Sequence, residues 1–122
     1  MPPMNISITV KETQGVMLVS VNGRIVFGEE ANELRREVKP LVQTLGTAVV
    51  IDLSQVSYVD SGGIGALVGL YTTARAGGGE MKLAGANPKV RHVLEITKLV
   101  EVLGMFPTAE QAVTSLRRSA TA

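Results

Sequence analysis

The chain has no cysteine and no tryptophan, and its 122 residues include only two tyrosines, two phenylalanines and one histidine. Without cysteine, a disulfide framework, thiolate–metal sites and a cysteine nucleophile are excluded, and a reducing compartment such as the cytoplasm is the compatible setting. The one histidine, His92, sits among helix-forming residues with no clustered carboxylates, so no metal-ligand set is present. The formal net charge is +1, with no basic stripe. Phosphate neutralisation and base stacking both need residues that are scarce here, so nucleic acid is not an expected partner. No apolar run approaches the roughly eighteen residues of a membrane span. The opening "MPPMNISITV" lacks the basic and long apolar regions of a signal peptide. No catalytic constellation is visible, and the chain reads as a non-enzyme that needs no cofactor. Its length fits one domain, 1–122.

What is there is an alternation of strand and helix patterns. "ISITVKE" places Ile6, Ile8 and Val10 at strand period, and "GVMLVSVNGRI" follows after a short connection with Gly15, with Val16, Leu18 and, less cleanly, Val21 as its apolar positions. The pair predicts an antiparallel hairpin. "GEEANELRREVKPLVQTL" has Leu34, Val38, Leu41, Val42 and Leu45 at helical spacing and two acids in its first turn. Pro40 should kink it or stop it early. Arg35, Arg36 and Lys39 read as a solvated face of that helix. "TAVVIDLS" is a continuous apolar run suited to a central strand covered on both faces. A second long helix runs from about Gly62 to Ala76, with Ile64, Leu67, Val68, Tyr71 and Ala74 inward. "EMKLAG" is a further strand. "NPKVRHVLEITKL" is a helix with Asn87 as N-cap and Pro88 at its first position. "VEVLG" reads as a short strand. "TAEQAVTSLRR" is a closing helix with Thr108 and Gln111 as a capping box, and 118–122 form a frayed tail. The fold class is α/β: a mixed sheet, antiparallel in its first hairpin and parallel in the β-α units that follow, with about four packed helices.

The unusual stretch is "DSGGIG", where three glycines open a helix although each costs about 1 kcal/mol against alanine. A dinucleotide-type phosphate cradle is disfavoured. Gly63, Gly65 and Gly69 are spaced G-x-G-x-x-x-G, six residues separate "AVVIDL" from Asp60, and Glu80 is the only candidate for the later ribose-binding acid. The alternative is a presented helix N-terminus, capped by Asp60 or Ser61. Gly62 and Gly63 would leave backbone N–H groups unshielded, and Gly65 and Gly69 would leave a smooth strip. For Gly65 and Gly69 the simpler reading is packing on the protein's own sheet. For Gly62 and Gly63, self-packing and partner docking stay open.

From "VVIDLS" to "AEQAV", with "VNGRI" in the opening hairpin, the chain resembles the STAS domain of bacterial anti-sigma factor antagonists. The resemblance is carried by "DS-x-G-[IL]-G" at 60–65, "GGEM-x-L" at 78–83 and "P-x-V-x-x-x-L-x-x-x-x-L" from Pro88. It implies a STAS-like fold and a role for Ser61 as phosphoacceptor of an anti-sigma factor that is also a serine kinase. The unphosphorylated form would bind that factor and free the sigma factor, and the phosphorylated form would let go. The implied partner-binding residues are Asp60, Ser61, Gly62, Gly63, Gly65 and the position of Val26. Two residues depart from the family pattern: Gly62 stands where Ser, Thr or Ala is usual, and Val26 replaces an Asp that helps engage the kinase and its nucleotide. Val26 therefore predicts weakened or redirected recognition. A STAS subunit of a lipid-transport or other transporter complex, binding an ATPase without phosphorylation, is the alternative; a nucleotide-binding domain is a third. The resemblance implies a cytoplasmic protein without membrane insertion, and a weak homodimer is compatible with it.

Overall fold

A computed structural model describes residues 5–121. Strands β1 (Ile6–Thr13) and β2 (Val16–Ile25) form the expected hairpin. Its two turn residues, Gln14 and Gly15, have φ values of 55° and 82°, the paired positive angles of a turn whose twist matches that of the strands. Helix α1 (Glu29–Val42), strand β3 (Ala48–Val59), helix α2 (Ser61–Ala76) and strand β4 (Glu80–Ala84) follow, then helices α3 (Pro88–Ile96) and α4 (Leu99–Leu103), strand β5 (Met105–Phe106) and helix α5 (Ala109–Thr121). The sheet order is β1-β2-β3-β4-β5, with the first pair antiparallel and every later pair parallel.

The sheet is covered on both faces at its centre. Val19, Val21 and Ile25 of β2 and Val49, Ile51 and Leu53 of β3 pack under α1, α2 and α3. Val16 of β2 and Val50 of β3 face the other way, against Ala112, Val113 and Leu116 of α5. This two-sided burial accounts for the unbroken apolar run in β3 and for the imperfect alternation of β2. Val16 and Val21, read together from the sequence, lie on opposite faces. At the edge, β1 outruns its cover: Ile6 is buried, but Val10 is exposed.

Several expectations are corrected. β3 does not stop at "AVVIDLS" but continues through "QVSYV" to Val59. Two register shifts against β2 insert an extra residue into β3 each time, between Asp52 and Gln55 and between Val56 and Tyr58. These bulges turn Leu53, Val56 and Val59, each three residues apart, into the same core; a residue pattern without period 2 therefore still makes a strand. Asp60 follows its strand at once, so the six-residue gap no longer counts against a phosphate cradle, while the glycine spacing still does. "VEVLG" is helical rather than a strand, in α4, which brings the helices among the described residues to five, in keeping with the about four expected. α1 ends two residues past Pro40, and Leu45 lies beyond it, 82% exposed. In α2 the buried line is Gly63, Ala66, Leu67, Leu70 and Ala74; Val68 points outward, and Ile64 and Tyr71 are marginal.

The helix caps were legible. Asn87 accepts from Val90 N at 2.8 Å, and its Nδ2 donates to Val56 O at 3.0 Å, which ties the start of α3 to β3. Thr108 Oγ1 accepts from Gln111 N at 3.2 Å, the N-cap half of the expected box. Of the tail expected to fray, 118–121 continue α5, and Ala122 lies outside the described residues.

Candidate functional site

β2 and β3 run parallel and finish side by side, with Ile25 paired to Val59. The segments leaving them, Val26–Gly28 and Asp60, therefore emerge together at the carboxyl end of the sheet, where open α/β sheets place their sites. They are bonded to each other. Asp60 N donates to Ile25 O at 3.3 Å. Phe27 N donates to both carboxylate oxygens of Asp60, at 3.0 and 3.1 Å, and Gly63 N donates to Asp60 Oδ1 at 2.9 Å. One carboxylate thus caps α2 and holds the β2–α1 loop against it. Asp60, in an extended conformation, is the cap, and Ser61 is the first residue of the helix.

The same bonds set the charge of Asp60. Partial burial pushes its pKa upward, but backbone N–H groups, led by those of Gly63 and Phe27, together outweigh it and hold the carboxyl below its ordinary 3.8. Since the folded-state value lies below the unfolded one, this stabilisation is complete above the ordinary pKa and is lost as pH falls through the depressed one. Asp60→Ala is expected to cost about 1–2 kcal/mol at neutral pH, as for other lost caps. The difference from the parent should shrink below pH 3.8, and urea melts of both proteins at pH 7 and pH 3 measure it.

The glycines divide opposite to the expectation for Gly65 and Gly69. A Cβ on Gly63 would overlap the carbonyl oxygen of Ile25 and lie 2.8 Å from its carbon. A Cβ on Gly62 would lie 2.5 Å from Phe27 Cβ and 2.7 Å from its Cα. Gly62 and Gly63 are therefore needed for the approach of the protein's own β2–α1 loop. Gly65 and Gly69 are exposed, with open space where a Cβ would stand; the packing on the sheet expected of them does not occur.

Ser61 is exposed, and its hydroxyl makes no hydrogen bond among the described residues. Val26 is half-buried in the adjoining loop, and its carbonyl accepts from Ala31 N at 3.0 Å. The structure thus brings Val26, Asp60, Ser61, Gly62 and Gly63 together, with Gly65 one turn along α2. Phe27 was missed from the sequence. It is 82% exposed, although its backbone is fixed by Asp60. Its signal was a scarce aromatic in a turn, outside any apolar period. Arg35, Arg36 and Lys39 are exposed, as a solvated face requires. Among the described residues no cluster of three His, Cys, Asp or Glu could hold a metal, and no helix is long and apolar enough to cross a membrane.

This fold, with a capped serine at the mouth of a parallel β-α unit, is that of a STAS domain: the STAS domain model matches residues 7–112, and the chain belongs to that family. Its relatives include anti-sigma factor antagonists. It is 32% identical over 111 residues to the anti-sigma-B factor antagonist of Bacillus subtilis, spanning 90% of this chain and 99% of that one. An anti-sigma factor antagonist structure from Mycobacterium paratuberculosis superposes with a TM-score of 0.81 at 29% identity, covering 92% and 94% of the two chains. The phosphorylated form of the Bacillus cell fate determinant SpoIIAA shares the fold, with a TM-score of 0.68 at 19% identity over 89% of this chain and 98% of that one.

Proposed function

We propose that this protein is a phosphorylation-switched anti-sigma factor antagonist. Unphosphorylated, it binds an anti-sigma factor that has serine kinase activity and so frees a sigma factor for transcription. Phosphorylated at Ser61, it releases that partner. The observation that carries this reading is the placement of Ser61: a solvent-facing hydroxyl without an internal partner among the described residues, next to Asp60, whose carboxylate ties the helix start at Gly63 to the facing loop at Phe27. A kinase can reach such a group without unfolding anything, and a phosphate there stands at a helix N-terminus, where anions are tolerated. Support also comes from the relatives named as antagonists and from the SpoIIAA structure, whose phosphorylated form keeps the shared fold.

The protein acts by binding, as a regulator. The test is incubation with ATP and the candidate anti-sigma factor, followed by mass mapping of the phosphate and calorimetry of the complex. Label on Ser61 that Ser61→Ala abolishes is the expected result. Stable capture of a transport ATPase, with no label, would instead favour the transporter-subunit alternative.

A further inference from the structure

Phe27 is the most conspicuous side chain at this site. It is 82% exposed, and a free aromatic ring in water forgoes the stabilisation that burial would bring. Its backbone is nevertheless among the best-held in the loop, with its N–H on both oxygens of Asp60. Little conformational freedom remains to be lost there on docking, which is the property of a good anchor.

The residues around this ring are small or uncharged. Val26, beside it, offers no carboxylate. Gly62 carries no side chain, and a Cβ there would meet Phe27 Cβ at 2.5 Å. The neighbouring acids are engaged: Asp60 as described, and Glu30 Oε2 by Asn5 N at 3.3 Å, which leaves Glu29 as the solvent-facing acid of that turn.

We infer that Phe27 is the specificity-determining anchor of this protein, seated in an apolar pocket of its anti-sigma factor beside the cleft that receives Ser61. This rests on the antagonist reading. Recognition then rests on an uncharged ring with an uncharged Val26 beside it, so the complex should depend little on salt.

The probe is the purified kinase-type anti-sigma factor that the wild-type protein binds, among those of its genome. Phe27→Ala is expected to weaken binding by about thirtyfold, the loss typical of a hot-spot residue. Phe27→Leu, which keeps an apolar side chain, should stay within about fivefold, and Lys39→Ala should change nothing. Melting of Phe27→Ala should match that of the parent, because an exposed ring adds little to the core. Phe27→Ala binding as tightly as wild type overturns the anchor and leaves the antagonist reading standing. A wild-type dimer that Phe27→Ala converts to monomer also overturns it, since a second copy would then cover the ring. Failure of the wild type to bind any such factor overturns the antagonist reading, and the anchor with it.

Discussion

Gly63→Ala should destabilise the protein by about 3 kcal/mol, at the upper end of overpacking costs, and lower its melting temperature by roughly 10–15 °C. The added methyl would overlap the Ile25 carbonyl oxygen, and that carbonyl cannot retreat freely. It accepts from Asp60 N, and Ile25 itself is fully buried and paired with Val59. The strain would be relieved only by lifting the start of α2 off the end of β2. That movement would break the Gly63 and Phe27 bonds to Asp60 as well. The same substitution two and six residues on should act in the opposite sense. Gly65→Ala and Gly69→Ala meet nothing within 4 Å, and each should stabilise by up to about 1 kcal/mol through helix propensity. Thermal melts of the three single variants decide the matter. If Gly63→Ala melts within a degree or two of the parent, the contact between β2 and α2 is loose, and the account of the site built on it fails.

Phosphorylation of Ser61 should reduce affinity for the anti-sigma factor at least a hundredfold while leaving the fold intact. A phosphoserine adds about −1.5 to −2 charges at pH 7. On the folded protein this is tolerable. Ser61 is the exposed first residue of α2, where the helix dipole favours an anion. The Asp60 carboxylate next to it is a like charge and pushes the other way, but its oxygens are directed at Phe27 N and Gly63 N, and solvent screens the remainder. In a complex the balance changes. A partner seated over Ser61 and Phe27 would have to bury the phosphate, and an uncompensated buried charge costs several kcal/mol; 2.8 kcal/mol is already about a hundredfold. Calorimetry of the phosphorylated protein, Ser61→Asp and Ser61→Ala, with melts alongside, is the measurement. Ser61→Ala should bind like the parent and resist the kinase, and Ser61→Asp should bind poorly. Undiminished binding by protein carrying phosphate on Ser61 would falsify the switch.

The elements that were legible in the sequence are those set by neighbours along the chain. The hairpin follows from alternation interrupted at Gly15, the start of α3 from Asn87 and Pro88, and the outset of α2 from an Asp-Ser pair ahead of a helical pattern. These depend on local turn and cap chemistry, which a stretch of a few residues carries within itself. The inner face of α1, with Leu34, Val38 and Val42 all buried, was legible because its period is clear. Less clear were short segments. "VEVLG" suits a strand or a helix equally by composition, and packing against its neighbours decides for the helix. β3 was cut short because bulges break the period by which strands are read, and a bulge is a property of two paired strands.

The sequence by itself determined the fold class, the order of elements as far as α3, the family, and the position of Ser61 at the head of a helix beside Asp60. Only the tertiary structure decided what the surrounding residues are for. Gly62 and Gly63 differ from Gly65 and Gly69 through what lies opposite each Cα: the Val26–Gly28 loop and Ile25 for the first two, water for the others. Asp60 is both cap and clasp because the parallel pairing of β2 with β3 brings Phe27 N, thirty-three residues away in the chain, within hydrogen-bond reach of its carboxylate. Phe27 stands exposed for the same reason: the clasp holds its backbone at the sheet's end, beyond the reach of the core.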